Sequence, residues 1–122
     1  MPYADVDFLL ALLKPNDWLK GDAEKVLKTQ RGSLWTSLIA VVEALMVGRE
    51  FGLDPERMVA NIVPICRLED AEKKVALRAA AFMARHKLST FDAFHAAFAM
   101  NDVIISSDKV FDKVGLKRIP LF

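Results

Sequence analysis

Glu43 carries the only charge in an otherwise uncharged and largely apolar segment, residues 37–47. If this segment is a helix, the residues three and four positions away from Glu43 are all apolar: Ile39, Ala40, Met46 and Val47. An ionised carboxylate on such a face costs free energy unless a cation or strong hydrogen-bond donors meet it. Because no Lys or Arg lies within one turn, the fold has to bring Glu43 a partner from far away in the sequence, or a metal ion from solution.

The length of 122 residues suits one domain with one ordinary hydrophobic core, so we expect a single domain over residues 1–122. The apolar fraction of 53% is high, which leaves side chains for a self-association or partner surface. A single cysteine, Cys66, cannot form an internal disulfide, and without a Cys/His cluster the chain has no zinc-site signature. Residues 8–13 are apolar but short, and acidic rather than basic residues precede them. We therefore expect a cytoplasmic protein without a membrane-spanning segment.

Short strand-like segments alternate with helical ones along the chain. The composition and the turn residues predict strands at 2–5, 32–36, 65–68, 103–105 and 117–122. Helices are predicted at 6–13, 22–29, 36–52, 55–63 and 70–87, then from 89 and shortly after 108. This alternation predicts an α/β fold, with helices on both faces of a mostly parallel central sheet.

Four acidic residues are expected to meet at one edge of that sheet. Asp5 and Asp108 follow predicted strands, Glu43 is two turns into a helix that follows another strand, and Asp92 begins a further helix. Binding sites in parallel sheets lie beyond the carboxyl ends of the strands. Each of Asp5, Asp92 and Asp108 could instead be only a helix cap, whereas Glu43 has no such alternative explanation.

Clustered carboxylates repel one another until divalent cations neutralise them. Oxygen ligands favour hard ions, so the expected cofactor is Mg²⁺ or Mn²⁺. Such a centre binds phosphate oxygens and activates water, which predicts hydrolysis of a phosphodiester. The net charge of +1 argues against simple coating of nucleic acid, but outside these four acids the balance is more basic, with 17 basic residues against 12 acidic ones.

Four motifs together resemble the PIN-domain proteins, in particular the VapC-type toxin ribonucleases, over the whole chain and in the right order. They are Tyr3-Ala-Asp-Val-Asp-Phe-Leu-Leu10, Glu43 within Ala-Val-Val-Glu-Ala-Leu-Met, Leu88-Ser-Thr-Phe-Asp-Ala-Phe-His-Ala-Ala97 and Ile104-Ile-Ser-Ser-Asp-Lys-Val-Phe111. The resemblance implies a PIN-like three-layer α/β/α fold and a metal-dependent endoribonuclease. It also implies that the catalytic and metal-binding acids are Asp5, Glu43, Asp92 and Asp108, with Ser106 orienting a carboxylate or the attacking water.

The same resemblance implies that the protein is the toxin of a VapBC-type toxin–antitoxin pair. It would form a homodimer and be inhibited by a small antitoxin that covers the site. We expect the dimer interface on the amphipathic helical segments 55–63 and 71–83.

The sequence leaves the roles of several other polar residues open. Asp7 is a first-turn acid where the family usually has Asn or Ser, and Asp112 is a possible peripheral acid. His95, three residues after Asp92, could contact a substrate phosphate or have a supporting role in the core. The basic residues that could contact an RNA backbone are Arg85, His86, Lys87 and Lys109.

Three other functions fit parts of the sequence. A haloacid-dehalogenase-like phosphatase could use Asp5 as nucleophile and Asp7 as general acid, but Phe8-Leu9 replaces the expected Gly-Thr and Glu43 stays unexplained. A receiver domain is set aside because its central acid would lie at the end of a strand. A non-catalytic PIN-fold binding scaffold is the remaining alternative, although this chain keeps all four acids.

Overall fold

The computed structural model describes residues 1–70 and 72–121. In these residues the strands are β1 (Tyr3–Ala4), β2 (Trp35–Ser37), β3 (Arg67–Glu69), β4 (Val103–Ser106) and β5 (Lys117–Pro120). The helices are α1 (Val6–Leu13), α2 (Lys20–Gln30), α3 (Leu38–Glu50), α4 (Pro55–Ile62), α5 (Lys73–His86), α6 (Thr90–Ala99) and α7 (Val110–Lys113). Strands and helices alternate as the sequence predicts.

The sheet has the strand order β3-β2-β1-β4-β5, and every pair of neighbouring strands is parallel. The first strand is therefore central, with Tyr3 in register with Trp35 of β2 on one side and with Ile104 of β4 on the other. The last strand, β5, is an edge strand, which accommodates Pro120 because that residue has no backbone N–H to donate. The predicted parallel α/β sheet is confirmed.

Two hydrophobic clusters, one on each face of the sheet, make the molecule a three-layer α/β/α structure. Successive residues of a strand point to opposite faces, so Tyr3 and Ile104 belong to one cluster while Ala4 and Ile105 belong to the other. Helices α1 to α4 pack on the Ala4 face, and α5 to α7 pack on the Tyr3 face. The core surrounds the sheet on both sides and leaves its carboxyl edge open.

Helix starts agree with the capping residues in the sequence. Ser37, Asp54 and Ser89 each accept a hydrogen bond from the backbone N–H three residues later. Asp5 accepts from the N–H of Val6, the first residue of α1. These side chains satisfy N–H groups that have no partner within the helix.

Some element boundaries differ from the sequence prediction. Strand β2 begins at Trp35 rather than at residue 32, because Gly32 has a positive φ of 84° and belongs to a turn. Strand β3 begins at Arg67 rather than at 65, since the N–H groups of the two preceding residues still bond to Ile62 at the end of α4. Helix α5 begins at Lys73 instead of 70, and α2 begins earlier than predicted, at Lys20. Residues 71 and 122, included in the predicted helix and in the last strand, lie outside the described residues.

Among the described residues, no helix is both long enough and apolar enough to cross a membrane.

Candidate active site

A pocket at the carboxyl edge of the sheet brings the predicted acids together. Helix α1 follows β1 and contributes the residues around Asp5, the middle of α3 contributes Glu43, and the first turn of α6 contributes Asp92. The loop after β4 contributes Asp108. The residues that line the pocket are Asp5, Val6, Asp7, Leu10, Glu43, Val47, Asp92, Ser107 and Asp108. All four acids that the sequence singled out therefore face one pocket, together with a fifth, Asp7.

Asp5 is the most buried of these carboxylates. Its Oδ1 accepts a hydrogen bond from Val6 N–H at 2.8 Å, and its Oδ2 accepts from Ser106 Oγ at 2.7 Å. Burial raises the pKa of Asp5 from 3.8 to about 7; the positive charge that His95 can carry opposes this rise, and the charge of Asp7 adds to it. In the absence of a cation, Asp5 is thus partly protonated near neutral pH.

Asp7 is part of the same pocket, although sequence reasoning gave it no definite role. Its Oδ2 accepts hydrogen bonds from the backbone N–H of Ser107 at 2.7 Å and from the Ser107 hydroxyl. Burial raises the pKa of Asp7, while the hydrogen bonds from Ser107 partly offset that rise. Its Oδ1 is buried and has no hydrogen-bond partner among residues 1–70 and 72–121. The signal in the sequence was a second acid two residues after the first at the end of a strand.

Glu43 receives the distant partner that its apolar surroundings require. His95 Nε2 on α6 lies 2.6 Å from Glu43 Oε1, and the same nitrogen is 3.6 Å from Asp5 Oδ1. His95 is 1% exposed, so the alternative of direct contact with a substrate phosphate is wrong, because the ring lies beneath the carboxylates. Burial by itself lowers the pKa of His95, but its hydrogen bond with Glu43 and the charge of Asp5 outweigh burial, and the net shift is upward.

Asp92 and Asp108 lie at the more open side of the pocket. Burial raises the pKa of Asp92; the hydrogen bond with Ser89 opposes this rise and the charge of Asp108 adds to it. Asp108 begins the short α7 region, with its Oδ1 accepting from Val110 N–H at 2.9 Å. Both residues are therefore helix caps or first-turn acids and pocket residues at the same time.

Ser106, the last residue of β4, lies at the floor of the pocket and hydrogen-bonds to Asp5 near the start of the chain. Its hydroxyl is fully buried, donates to Asp5 and accepts from Asp108 N–H at 3.0 Å. Arg118 on the neighbouring strand donates from Nη1 to the Ser106 carbonyl at 3.0 Å and holds Asp112 with two further hydrogen bonds. Asp112 does not line the pocket; beside the Arg118 guanidinium, its pKa is lowered.

A comparison of the sequence with models of known protein families gives a match over most of the chain. Residues 3–117 match the model of the PIN domain. The chain belongs to the PIN-domain family. A comparison with curated proteins gives no match.

Solved structures with the PIN fold superpose on almost the whole chain at low sequence identity. VapC20 of Mycobacterium tuberculosis, described as a toxin that cleaves the sarcin–ricin loop, has a TM-score of 0.86 at 19% identity, over 98% of this chain and 99% of that one. A toxin–antitoxin complex from Klebsiella pneumoniae gives 0.79 at 16% identity, over 100% and 98% of the two chains. VapBC2 of Rickettsia felis, bound to a DNA fragment of its promoter, gives 0.76 at 13% identity, over 100% of both.

The carboxylates of this PIN domain fit a hard divalent cation by their chemistry. The pocket offers oxygen ligands, several of these groups have raised pKa values, and Asp7 Oδ1 is buried without a partner. Within the described part of the chain, however, no three His, Cys, Asp or Glu residues are already arranged as a metal-binding group. Asp5 and Glu43 are instead engaged by Ser106 and His95. The oxygen donors therefore line one pocket but are not converged on a common point in this structure.

The basic residues with a possible role in RNA binding lie outside this pocket. Arg85 and His86 line a separate shallow groove between α5 and the end of α6, together with Arg78 and Met100. Lys109 is exposed beside Asp108. The charged residues that line the PIN-domain pocket are therefore all acidic, and none of these basic residues lines it.

Proposed function

We propose that this PIN domain is a metal-dependent endoribonuclease that hydrolyses RNA phosphodiester bonds, and that it is the toxin of a VapBC-type toxin–antitoxin pair. The observation that carries the proposal is the pocket itself, which is lined by five carboxylates from the junction of β1 and α1, from α1, α3 and α6, and from the loop after β4. A structural role does not explain this arrangement, since unneutralised carboxylates at one site repel each other.

In this proposal Mg²⁺ or Mn²⁺ is held by Asp5, Glu43, Asp92 and Asp108, with the free Oδ1 of Asp7 as a further oxygen donor. Bound there, the ion would supply a water of lowered pKa and would stabilise charge on the phosphate. Ser106 keeps one oxygen of Asp5 turned toward the pocket floor by its hydrogen bond. An ionised carboxylate of the pocket would accept the proton of the attacking water.

RNA as the substrate is supported by the distribution of charge. Helix α5 contains Lys73, Lys74, Arg78 and Arg85 and no acidic residue, although the whole chain has a net charge of only +1. The C-terminal end of α5 leads through residues 87–89 into α6, whose first turn contains Asp92. A phosphate backbone could thus be held by α5 while an adjoining part of the strand enters the acidic pocket. One solved structure of the same fold, VapC20, is described as a toxin that cleaves the sarcin–ricin loop.

An antitoxin partner and a homodimer belong to the same proposal, with action in the cytoplasm. Neighbours of the same fold were solved as toxin–antitoxin complexes. The segments 55–63 and 71–83 remain the predicted dimer interface, with residue 71 outside the described residues. A second apolar surface is exposed on α3, where Leu38, Val42 and Met46 are 47%, 48% and 57% exposed.

The test is cleavage of a mixed pool of structured RNAs in Mg²⁺, Mn²⁺ or EDTA, with Asp92→Asn beside the wild type. We expect cleavage only with metal, and a loss of at least about 100-fold in Asp92→Asn, because the substitution removes one charged ligand and preserves the shape of the side chain. Glu24→Gln, an exposed position on α2, is the control for the loss of one negative charge.

Two results would contradict the proposal. Cleavage that persists in EDTA would exclude a role for the ion, and absence of cleavage with no effect of Mn²⁺ on the melting temperature would favour a non-catalytic PIN-fold scaffold. The phosphatase alternative has no support, since the PIN match spans 3–117 and Asp7 is held by Ser107 rather than free as a general acid.

A further inference from the structure

A continuous line of hydrogen bonds runs from the start of α3 to the Glu43 carboxylate. Ser37 Oγ accepts from Ala40 N–H at 3.1 Å and lies 2.8 Å from the Tyr3 hydroxyl. The Tyr3 hydroxyl lies 2.7 Å from His95 Nδ1, and His95 Nε2 lies 2.6 Å from Glu43 Oε1. Ser37 and Tyr3 are 0% exposed and His95 is 1% exposed, so their polar atoms depend on one another rather than on water.

For the neutral form of the His95 ring, one direction gives every proton in this line an acceptor. If the Ser37 hydroxyl donates to Tyr3 and the Tyr3 hydroxyl donates to His95 Nδ1, then Nε2 carries the ring proton and donates it to Glu43. In the opposite direction the Ser37 proton has no acceptor among the described residues, and an unprotonated Nε2 faces the carboxylate. A buried hydroxyl proton without an acceptor is unfavourable, so the first direction is favoured.

We propose that Tyr3 and His95 are positioning residues for the metal site: Tyr3 sets the orientation and the protonated nitrogen of the His95 ring, and the ring in turn holds Glu43. This inference rests on the proposed function, because it assigns Glu43 a ligand role. Nothing else in the described residues hydrogen-bonds to the Glu43 carboxylate. One oxygen is therefore fixed by His95, and the other is available to a cation.

Such a support matters because Glu43 is a long, rotatable side chain in the middle of a helix. Asp5 is short and is fixed by two hydrogen bonds, one of them from the backbone N–H of its neighbour Val6 and the other from Ser106. Glu43 has no comparable local partner, and its hydrogen bond comes from a residue 52 positions away. A ligand that is already oriented loses less conformational freedom when the ion binds.

The first test measures Mn²⁺ binding by calorimetry in the absence of RNA, for the wild type, Tyr3→Phe, His95→Gln and His95→Asn. The amide nitrogen of Gln can reach the position of Nε2, whereas that of Asn reaches only the position of Nδ1. We expect His95→Gln to remain within about three-fold of the wild-type affinity, and His95→Asn and Tyr3→Phe to bind at least about ten-fold more weakly.

His95→Gln and His95→Asn are a matched pair, since both remove the same ring from the core. Equal losses of Mn²⁺ affinity in the two variants would mean that the ring acts only by packing, and would overturn the proposal. Unchanged affinity in Tyr3→Phe would overturn the role of Tyr3. Melting temperatures without metal report whether each variant is folded. If the wild type binds Mn²⁺ with this pattern but cleaves no RNA, the positioning role stands and the nuclease proposal fails.

A second test determines, in the metal-free protein, which atoms donate in the line of hydrogen bonds from Ser37 through Tyr3 and His95 to Glu43, which we call the relay. The chain has only two histidines, and the exposed His86 serves as a reference. Imidazole ¹⁵N spectra at alkaline pH, where the rings are neutral, should show a proton on Nε2 of His95 and none on Nδ1. A proton on Nδ1 would mean that Tyr3 is not the donor and would overturn the proposed relay.

Discussion

At the scale of single residues, the pocket opposes the ionisation of its own carboxylates. The pKa of Asp5 rises from 3.8 to about 7, and the pKa values of Asp7 and Asp92 are raised as well. Between the pKa of an Asp in the unfolded chain, 3.8, and that of Asp5 in the folded protein, about 7, the folded protein holds a proton that the unfolded chain has lost. The free energy of unfolding therefore decreases as pH rises through this window.

The expected result for the metal-free protein is a decrease of stability on the order of 2 kcal/mol from about pH 5 to about pH 7.5. His95, with a raised pKa, adds a decrease of the same sign at the upper end of this range. Asp112, whose pKa is lowered, acts only at more acidic pH and in the opposite sense. Urea unfolding in EDTA measures the effect.

Asp5→Asn should flatten this pH dependence, because it removes the carboxyl group whose pKa is raised to about 7, whereas Glu24→Gln on the surface should leave the slope as it is. A metal-free wild type that becomes more stable over the same range would contradict the assigned burial of Asp5. Saturating Mn²⁺ should oppose the decrease, since the ion binds the ionised carboxylates.

The sequence could indicate which residues would meet, but not what each would touch. An isolated charge in an apolar segment was enough to predict a distant partner for Glu43, and His95 provides it. The position of Asp7 could not be predicted, since it depends on the path of the loop at Ser107, 100 residues away.

At the scale of secondary structure elements, the C-terminal end of α1 is capped by the ammonium group of Lys20, the first residue of α2. Lys20 Nζ donates to the carbonyl oxygens of Leu12 at 2.7 Å, Lys14 at 3.1 Å and Ala11 at 3.4 Å. These carbonyls lie at the end of α1, where the helix dipole favours positive charge. The ammonium group thus closes the turn between α1 and α2.

Replacing Lys20 by Met should reduce the free energy of unfolding by about 1–2 kcal/mol, because carbonyl groups at a helix end lose a charged donor. Lys25→Met, at an exposed position of the same helix, should change it by less than about 0.5 kcal/mol. Chemical denaturation of the two variants measures the difference, and equal effects would show that Lys20 has no capping role.

Element starts were predictable where a side chain caps the helix, as at Ser37, Asp54 and Ser89. Boundaries that depend on tertiary contacts were not. Helix α2 begins at Lys20, whose side chain donates hydrogen bonds to carbonyls at the end of α1. Strand β3 begins later than predicted because a turn continues beyond the end of α4. No local pattern in the sequence contains these contacts.

At the scale of the whole molecule, one helix and one pocket each carry charge of a single sign. The charged Lys and Arg residues of α5 are accompanied by no acidic residue, and five of the sixteen acidic residues of the chain line the pocket. In the proposed function, α5 would attract a phosphate backbone while the pocket would bind cations. The sequence shows that α5 is basic and that the four acids are spread along the chain, but it does not show where α5 lies relative to the pocket.

The expected consequence is that Arg78→Gln with Arg85→Gln weakens RNA binding by about ten-fold and reduces the salt dependence of binding. Asp92→Asn is the background for this measurement, so that RNA is bound without being cut. Lys25→Gln with Lys28→Gln, both exposed on α2, is the matched control for loss of two charges. Equal effects of the two pairs would show that only the net charge matters.

The parallel sheet could be predicted from the alternation of strands and helices, and the three-layer arrangement from the motifs that resemble the PIN family, whereas the strand order β3-β2-β1-β4-β5 comes from the structure. The position of β1 in the centre has a further consequence. Strand β1 is synthesised first, yet one of its two neighbours is β4, and the Ser106 hydroxyl that holds Asp5 comes 101 residues later. A growing chain on the ribosome therefore cannot contain the assembled pocket until β4 and the loop after it have been translated. Synthesis of the first hundred residues thus takes place before the acidic centre is complete.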